Sequence, residues 1–174
     1  MQNNVMIDLE TMGTSPQSPI IAIGAVKFNL TDGIVDRFYH VVSLKSCMDE
    51  GLIPAADTIL WWLDQSEDAR QQLLRSAIPI DVALMGFGLW LGDDARVWGN
   101  GAAFDNVILS NAYRALGLNQ PWEFYNDRCY RTMKNMFPQV AMDRIGTHHN
   151  ALNDAESQAT HLIDIVTSFG GELK

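Results

Sequence analysis

Apolar and polar positions follow two rhythms along this chain. The first 43 residues run at strand spacing: VMIDL (5–9), IIAIGAVKFN (20–29) and RFYHVVS (37–43) are β-rich, and TDG (31–33) is a turn signal between the second and third. Three successive strands joined by short turns predict an antiparallel meander. The rhythm then becomes helical. Asp57 is placed to cap DTILWWLDQ, EDARQQLLR follows with acids first and Arg last, and DVALMGFGLWLG continues, weakened by its glycines. RVWGNG (96–101) returns to strand, AFDNVILSNAYRAL is an amphipathic helix, WEFYND (122–127) is a further strand candidate, and CYRTMKNMF is helical. In NALNDAESQATHLIDIV the residues Leu152, Ala155, Ala159, Leu162, Ile163 and Val166 recur at helical spacing. A meander followed by strand–helix alternation predicts an α/β fold with one mixed five-stranded sheet flanked by helices. No repeat, low-complexity tract or Pro/Ser linker divides the chain, so residues 1–174 read as one domain.

Three placements of polar residues break these patterns. Asp8 and Glu10 sit two apart in an otherwise apolar strand, so they project from the same face. Two carboxylates that close repel, and each resists leaving water. A bound hard cation such as Mg²⁺ or Mn²⁺ relieves both problems; a lone Asp-x-Glu reads first as a solvated pair on a sheet edge, and the apolar flanks and the acids that follow raise the cation reading here. Asp105 opens a helix just after a strand end, in GNGAAFDNVIL, where small residues leave room for a ligand; serving the helix dipole is its simpler role. His149 and Asp154 lie five apart in HHNALNDAESQ. On one helix they would diverge by about 140°. If Asn150 caps the helix, His149 belongs to the preceding loop and can fold back over Asp154. His148 reads as a surface neighbour.

Taken in chain order, Asp-x-Glu on a first strand, Asp at a mid-chain helix start and His-x₄-Asp on a late helix resemble the DnaQ-like DEDDh exonucleases, over nearly the whole chain. DTILWWLDQSEDAR and VWGNGAAFDNVIL are most similar to the phage exonuclease A and prophage exonuclease VIII-type 3'–5' exonucleases, and also to the polyadenylate-specific exoribonucleases of the same branch. Asn100 departs from the proofreading-type pattern, where HNAAFD places a His. The resemblance implies an RNase H-like fold and one DEDDh exonuclease domain. It implies two divalent ions, Mg²⁺ or Mn²⁺, on Asp8, Glu10, Asp105 and Asp154, with Asp8 as the bridge and His149 as general base. The expected reaction is 3'–5' hydrolysis of single-stranded DNA to 5'-mononucleotides, with RNA as the alternative polymer. A catalytically dead nucleic-acid-binding module and a small nucleotide hydrolase are the competing functions. The first would be expected to lack one of the five residues, and all five are present.

The resemblance also implies that Thr11 and Met12 seat the terminal nucleotide. Met12 is otherwise core filler, and Phe104 either stacks on a base or packs in the core. Trp61 and Trp62 are about 100° apart on a helix, so one is core and the other is left for base stacking or a dimer contact, which keeps a homodimer open. Arg128, Arg131 and Lys134 recur every third residue as a phosphate-facing stripe or a solvated face.

Charge and composition narrow the partners. Twelve basic against 21 acidic side chains give a net charge of −9, which argues against wrapping a duplex but not against gripping a strand end. Cys47 and Cys129 are far apart with no C-x-x-C partner, so they read as free thiols of a reducing compartment. With no secretory signal and no membrane-length apolar run, a cytoplasmic protein with no membrane partner is expected.

Overall fold

The structure is a computed structural model that describes residues 3–73, 76–146 and 149–173. Its first three strands are β1 (Asn3–Thr11), β2 (Ile20–Asn29) and β3 (Gly33–Val41). The polypeptide continues through four helices, α1 (Leu44–Asp49), α2 (Ala56–Leu63), α3 (Glu67–Gln72) and α4 (Ile80–Leu91). Next come β4 (Ala95–Gly99) and α5 (Asp105–Ala115), then β5 (Asp127–Cys129), α6 (Tyr130–Met136) and α7 (Ala151–Ser168). The sheet is five-stranded and mixed, in the order β3-β2-β1-β4-β5. β1–β2 and β2–β3 pair antiparallel, whereas β1–β4 and β4–β5 pair parallel.

β1 is the central strand, and its period-2 alternation sorts its side chains into two cores. Val5, Ile7 and Leu9 enter the larger one, with Ala83, Leu84 and Phe87 of α4 and Ile108, Leu109 and Ala112 of α5. Met6 faces the other layer, where it meets Tyr130 of α6 and Ala155, Ala159 and Leu162 of α7. The small residues of α7 bring that helix close to the sheet. At Gly24 of β2 the approach is closest, because a Cβ built there would lie 2.1 Å from the Ala151 carbonyl carbon. Asn150 caps α7 as the sequence suggests, its side chain accepting from the Asn153 N–H.

Several local expectations give way. WEFYND is not a strand: Trp122 turns into the larger core and donates through Nε1 to Asp127 Oδ1, and Phe124–Asn126 form a 3-10 turn with Phe124 and Tyr125 exposed. β5 begins only at Asp127. Asp57 lies in the first turn of α2 rather than at its N-cap, which is Ala55. The 44–56 connection holds α1, capped by the Ser43 side chain. Cys47 and Cys129 are free thiols. Among the described residues no helix is long and apolar enough to cross a membrane.

Candidate active site

Asp8 and Glu10 share the face of β1 that Met6 occupies, two and four residues further along. They therefore point toward α7, beyond the apolar part of that interface. Asp154, in the first turn of α7, completes the set: Asp8, Glu10 and Asp154 each offer an oxygen, all within 4.8 Å of one another. Gly24 makes this possible. It pairs with Asp8 across β1–β2 and lets the N-terminal backbone of α7 rest on the sheet beside the acids.

Asp105 reaches the same end of β1 from the opposite layer. The parallel pairing of β1 with β4 stops at Ile7–Gly99, so the Leu9 N–H lies beyond that ladder. Asp105 Oδ1 accepts it at 3.2 Å. Gly99 gives the room, since a Cβ there would come within 3.1 Å of the Asp105 Cβ and 2.4 Å of Asn106 Oδ1. Asp105 is buried and lines the same cleft as the other three acids, but it stands beside their close group rather than within it.

The electrostatics follow from this crowding. Burial is the largest influence on Glu10, with the charges of Asp154 and Asp105 adding to it, and the pKa rises from 4.5 to about 8. Asp8 is held well above the ordinary carboxylate range by burial and then by Asp105, Glu10 and Asp154, against one lowering contact from Gln158. Asp105 rises to about 7 through burial, which its backbone N–H contacts and Arg131 only partly offset. Asp8, Glu10 and Asp105 thus resist ionising together.

The acids open into a cleft of about 660 Å³. His149 lines it from the loop before α7. Its backbone is left-handed, with φ at +62°, and its N–H donates to Asp154 Oδ2 at 3.1 Å. Its ring stands edge-on to Trp61, with centroids 4.9 Å apart. Trp61 is exposed along the cleft, whereas Trp62 is core and donates through Nε1 to the Thr11 carbonyl. Thr11 lines the cleft, and its hydroxyl donates to the Gly13 carbonyl. Phe104 lines the cleft and also packs on the larger core. Met12 packs instead with Ile21, Trp62 and Ala69. His148 lies outside the described residues.

The expected basic stripe divides. Arg131 and Lys134 line the cleft, with Arg131 donating to the Asn100 carbonyl. Arg128 belongs to β5 and donates to the Tyr125 carbonyl. Two cleft residues escaped the sequence reading. Arg144 pairs with Asp154 Oδ1 at 3.0 Å; it lies in the irregular 138–146 segment, where no periodicity marks it. Gln158 donates through Nε2 to Asp8 Oδ1 at 2.8 Å. It follows Asp154 by one helical turn, so the i,i+4 rule was the available signal.

Oxygen donors alone, close together, buried and mutually repelling, suit a hard divalent cation. Asp8, Glu10 and Asp154 fit that role directly, with Asp105 adjacent.

Comparison with known proteins places the chain among nucleases. The family model described as the 3'-5' exoribonuclease Rv2179c-like domain matches residues 3–166. The DNA polymerase III PolC-type of Listeria monocytogenes serovar 1/2a is 28% identical over 166 residues, 88% of this chain but 10% of that protein. The chain thus spans about a tenth of the length of that relative. The exodeoxyribonuclease of Enterobacteria phage T4 is 26% identical over 156 residues, covering 73% of this chain and 68% of the relative. Among solved structures, the nuclease domain of 3'hExo, a DEDDh family member bound to rAMP, superposes with a TM-score of 0.66 at 19% identity, covering 99% of this chain and 95% of the other. Exonuclease I of E. coli in complex with a dT13 oligonucleotide gives 0.65 at 12% identity, covering 96% and 41%. At those identities the likeness is one of fold, the RNase H-like sheet of these nucleases.

Proposed function

We propose, from the premise that this chain belongs to the 3'-5' exoribonuclease Rv2179c-like family and is therefore a nuclease, that it removes 5'-mononucleotides from the 3' ends of single strands, in a reaction supported by two divalent cations. The observation that carries the proposal is the convergence of Asp8 and Glu10 from the first strand with Asp154 from the last helix.

Asp8, Glu10 and Asp154, with Asp105 beside them, would hold Mg²⁺ or Mn²⁺, which supplies positive charge for the phosphodiester and Lewis acidity for its cleavage. The chain's own groups do the rest. His149 is the general base that takes a proton from the attacking water. Its backbone N–H on Asp154 and its ring against Trp61 orient it toward the cleft. Thr11 and Phe104 border the space for the terminal nucleotide, and Trp61 offers a further face for an unstacked base. Arg131, Lys134 and Arg144 give the cleft local positive charge in a chain of net charge −9. On this reading residues 1–174 are one exonuclease domain.

RNA is the polymer favoured by the family's description. DNA is the second reading, supported by the likeness to the phage T4 exodeoxyribonuclease and by the expectation from the sequence. Matched RNA and DNA oligonucleotides with 5' labels, incubated with Mn²⁺ or Mg²⁺, test both. A ladder shortening from the 3' end, abolished by chelator, is expected, and the faster polymer names the substrate class. Folded protein that shortens neither polymer with either ion would overturn the proposal.

A further inference from the structure

We propose that Gln158 is a positioning residue for the acid cluster: its amide holds one oxygen of Asp8 so that the other is presented to a divalent cation. The inference rests on the reading of the cluster as a cation site. Gln158 is 5% exposed, and its Nε2 lies 2.8 Å from Asp8 Oδ1. The amide donates through its NH₂, the orientation that suits a carboxylate once a bound cation has ionised it. The other groups that act strongly on Asp8 are the acids Asp105, Glu10 and Asp154. Gln158 is thus its one favourable side-chain partner among the described residues.

The chemistry of the amide suits this task. A lysine or arginine here would also hold Asp8, but its charge would repel the incoming ion. A glutamate would add a fifth acid. A neutral donor fixes the carboxylate and leaves its charge available. The place in the fold suits it as well: Gln158 lies one turn after Asp154 on the same face of α7, so one rigid helix delivers a ligand and the holder of another.

A packing role does not account for the side chain. Gln158 Oε1 is buried with no hydrogen-bond partner among the described residues. Leaving a buried acceptor bare costs stability, and Leu or Met would fill the same space without that cost.

The test uses the whole chain, with Mn²⁺ titrated from a chelated start and thermal stabilisation as the readout. In Gln158→Met the ion concentration for half-maximal stabilisation is expected to rise ~10–100-fold, as for other partners that orient metal ligands. The melting temperature in chelator should hold or rise. At saturating Mn²⁺, kcat should fall while KM for a single-stranded oligonucleotide stays the same. Gln158→Asn keeps the amide but is one methylene too short to reach Asp8, so it should behave like Gln158→Met. An unmoved Mn²⁺ midpoint overturns the inference, as does a change in KM alone or a failure of both variants to fold in Mn²⁺. A wild-type chain that Mn²⁺ does not stabilise overturns the reading of the cluster, and this inference with it. A stabilised wild type with an unmoved variant overturns this inference alone.

Discussion

Replacing Glu10 with Gln should make the metal-free protein more stable, by an amount that grows as pH rises above 4.5. Glu10 is 8% exposed, and its carboxyl is raised from 4.5 to about 8 by burial and by Asp154 and Asp105. A raised acid favours the folded state in its protonated form. The stability this gives is fully present below pH 4.5 and drains away as pH climbs through about 8. At pH 7.5 the unfolded chain has released the proton and the folded chain largely has not, a gap of about 3 pH units, or about 4 kcal/mol at 1.36 kcal/mol each. A glutamine carries no such penalty. Coupling with Asp8 shares part of the relief, so a gain of about 3 kcal/mol at pH 7.5 is the expectation. For a chain of this size that is a rise of about 6–12 °C in melting temperature. At pH 4 the two proteins should differ by less than about 0.5 kcal/mol. Urea unfolding in chelator at pH 4, 6 and 7.5 measures this directly. With Mn²⁺ added at pH 7.5 the order should reverse, because the wild type gains a ligand and the variant has lost one of its own. A stability difference that does not change with pH, or a variant weaker than wild type in chelator at pH 7.5, would refute the charge argument.

Three further outcomes follow from the same geometry. His149→Ala should lower the single-turnover rate by roughly 10²–10⁴-fold and leave stabilisation by Mn²⁺ in place, because the contact with Asp154 is through the backbone N–H. Gly24→Ala should lower unfolding free energy by about 1–3 kcal/mol and abolish turnover, since the new methyl meets the Ala151 backbone and drives α7 from the sheet; full activity would show that the helix docks elsewhere. Arg144→Ala should lower the Mn²⁺ concentration needed for half-maximal thermal stabilisation, since the guanidinium on Asp154 Oδ1 competes with the ion; a higher requirement would show that the pair assists rather than competes.

Alternation made β1 legible. A strand period of two places Asp8 and Glu10 together whatever lies around them, and the structure keeps them on the Met6 face. The same holds for the cap at Asn150, whose side chain closes on the Asn153 N–H and leaves His149 outside the helix. Where a tertiary contact overrides local preference, the pattern misleads. WEFYND has strand composition, but Trp122 finds Asp127 and the rings of Phe87 and Tyr113, and that anchoring bends the backbone out of the sheet. Asp105 illustrates a role that composition cannot supply. Its partner is a backbone N–H on a strand nearly a hundred residues earlier, freed by the end of another strand's pairing. Arg144 sits in an irregular segment, so only the folded chain brings it to Asp154.

The seat of α7 at Gly24 also sets an order of events during synthesis. A ribosome adding roughly 5–20 residues per second completes the whole sheet before the segment that carries His149 and Asp154 is made. Until then the layer over Met6 and Val26 stays uncovered, and the two first-strand acids lack the third oxygen that Asp154 places beside them. On the proposed reading, a polypeptide stopped before α7 is therefore inert, and activity toward strand ends begins only when that helix has been made.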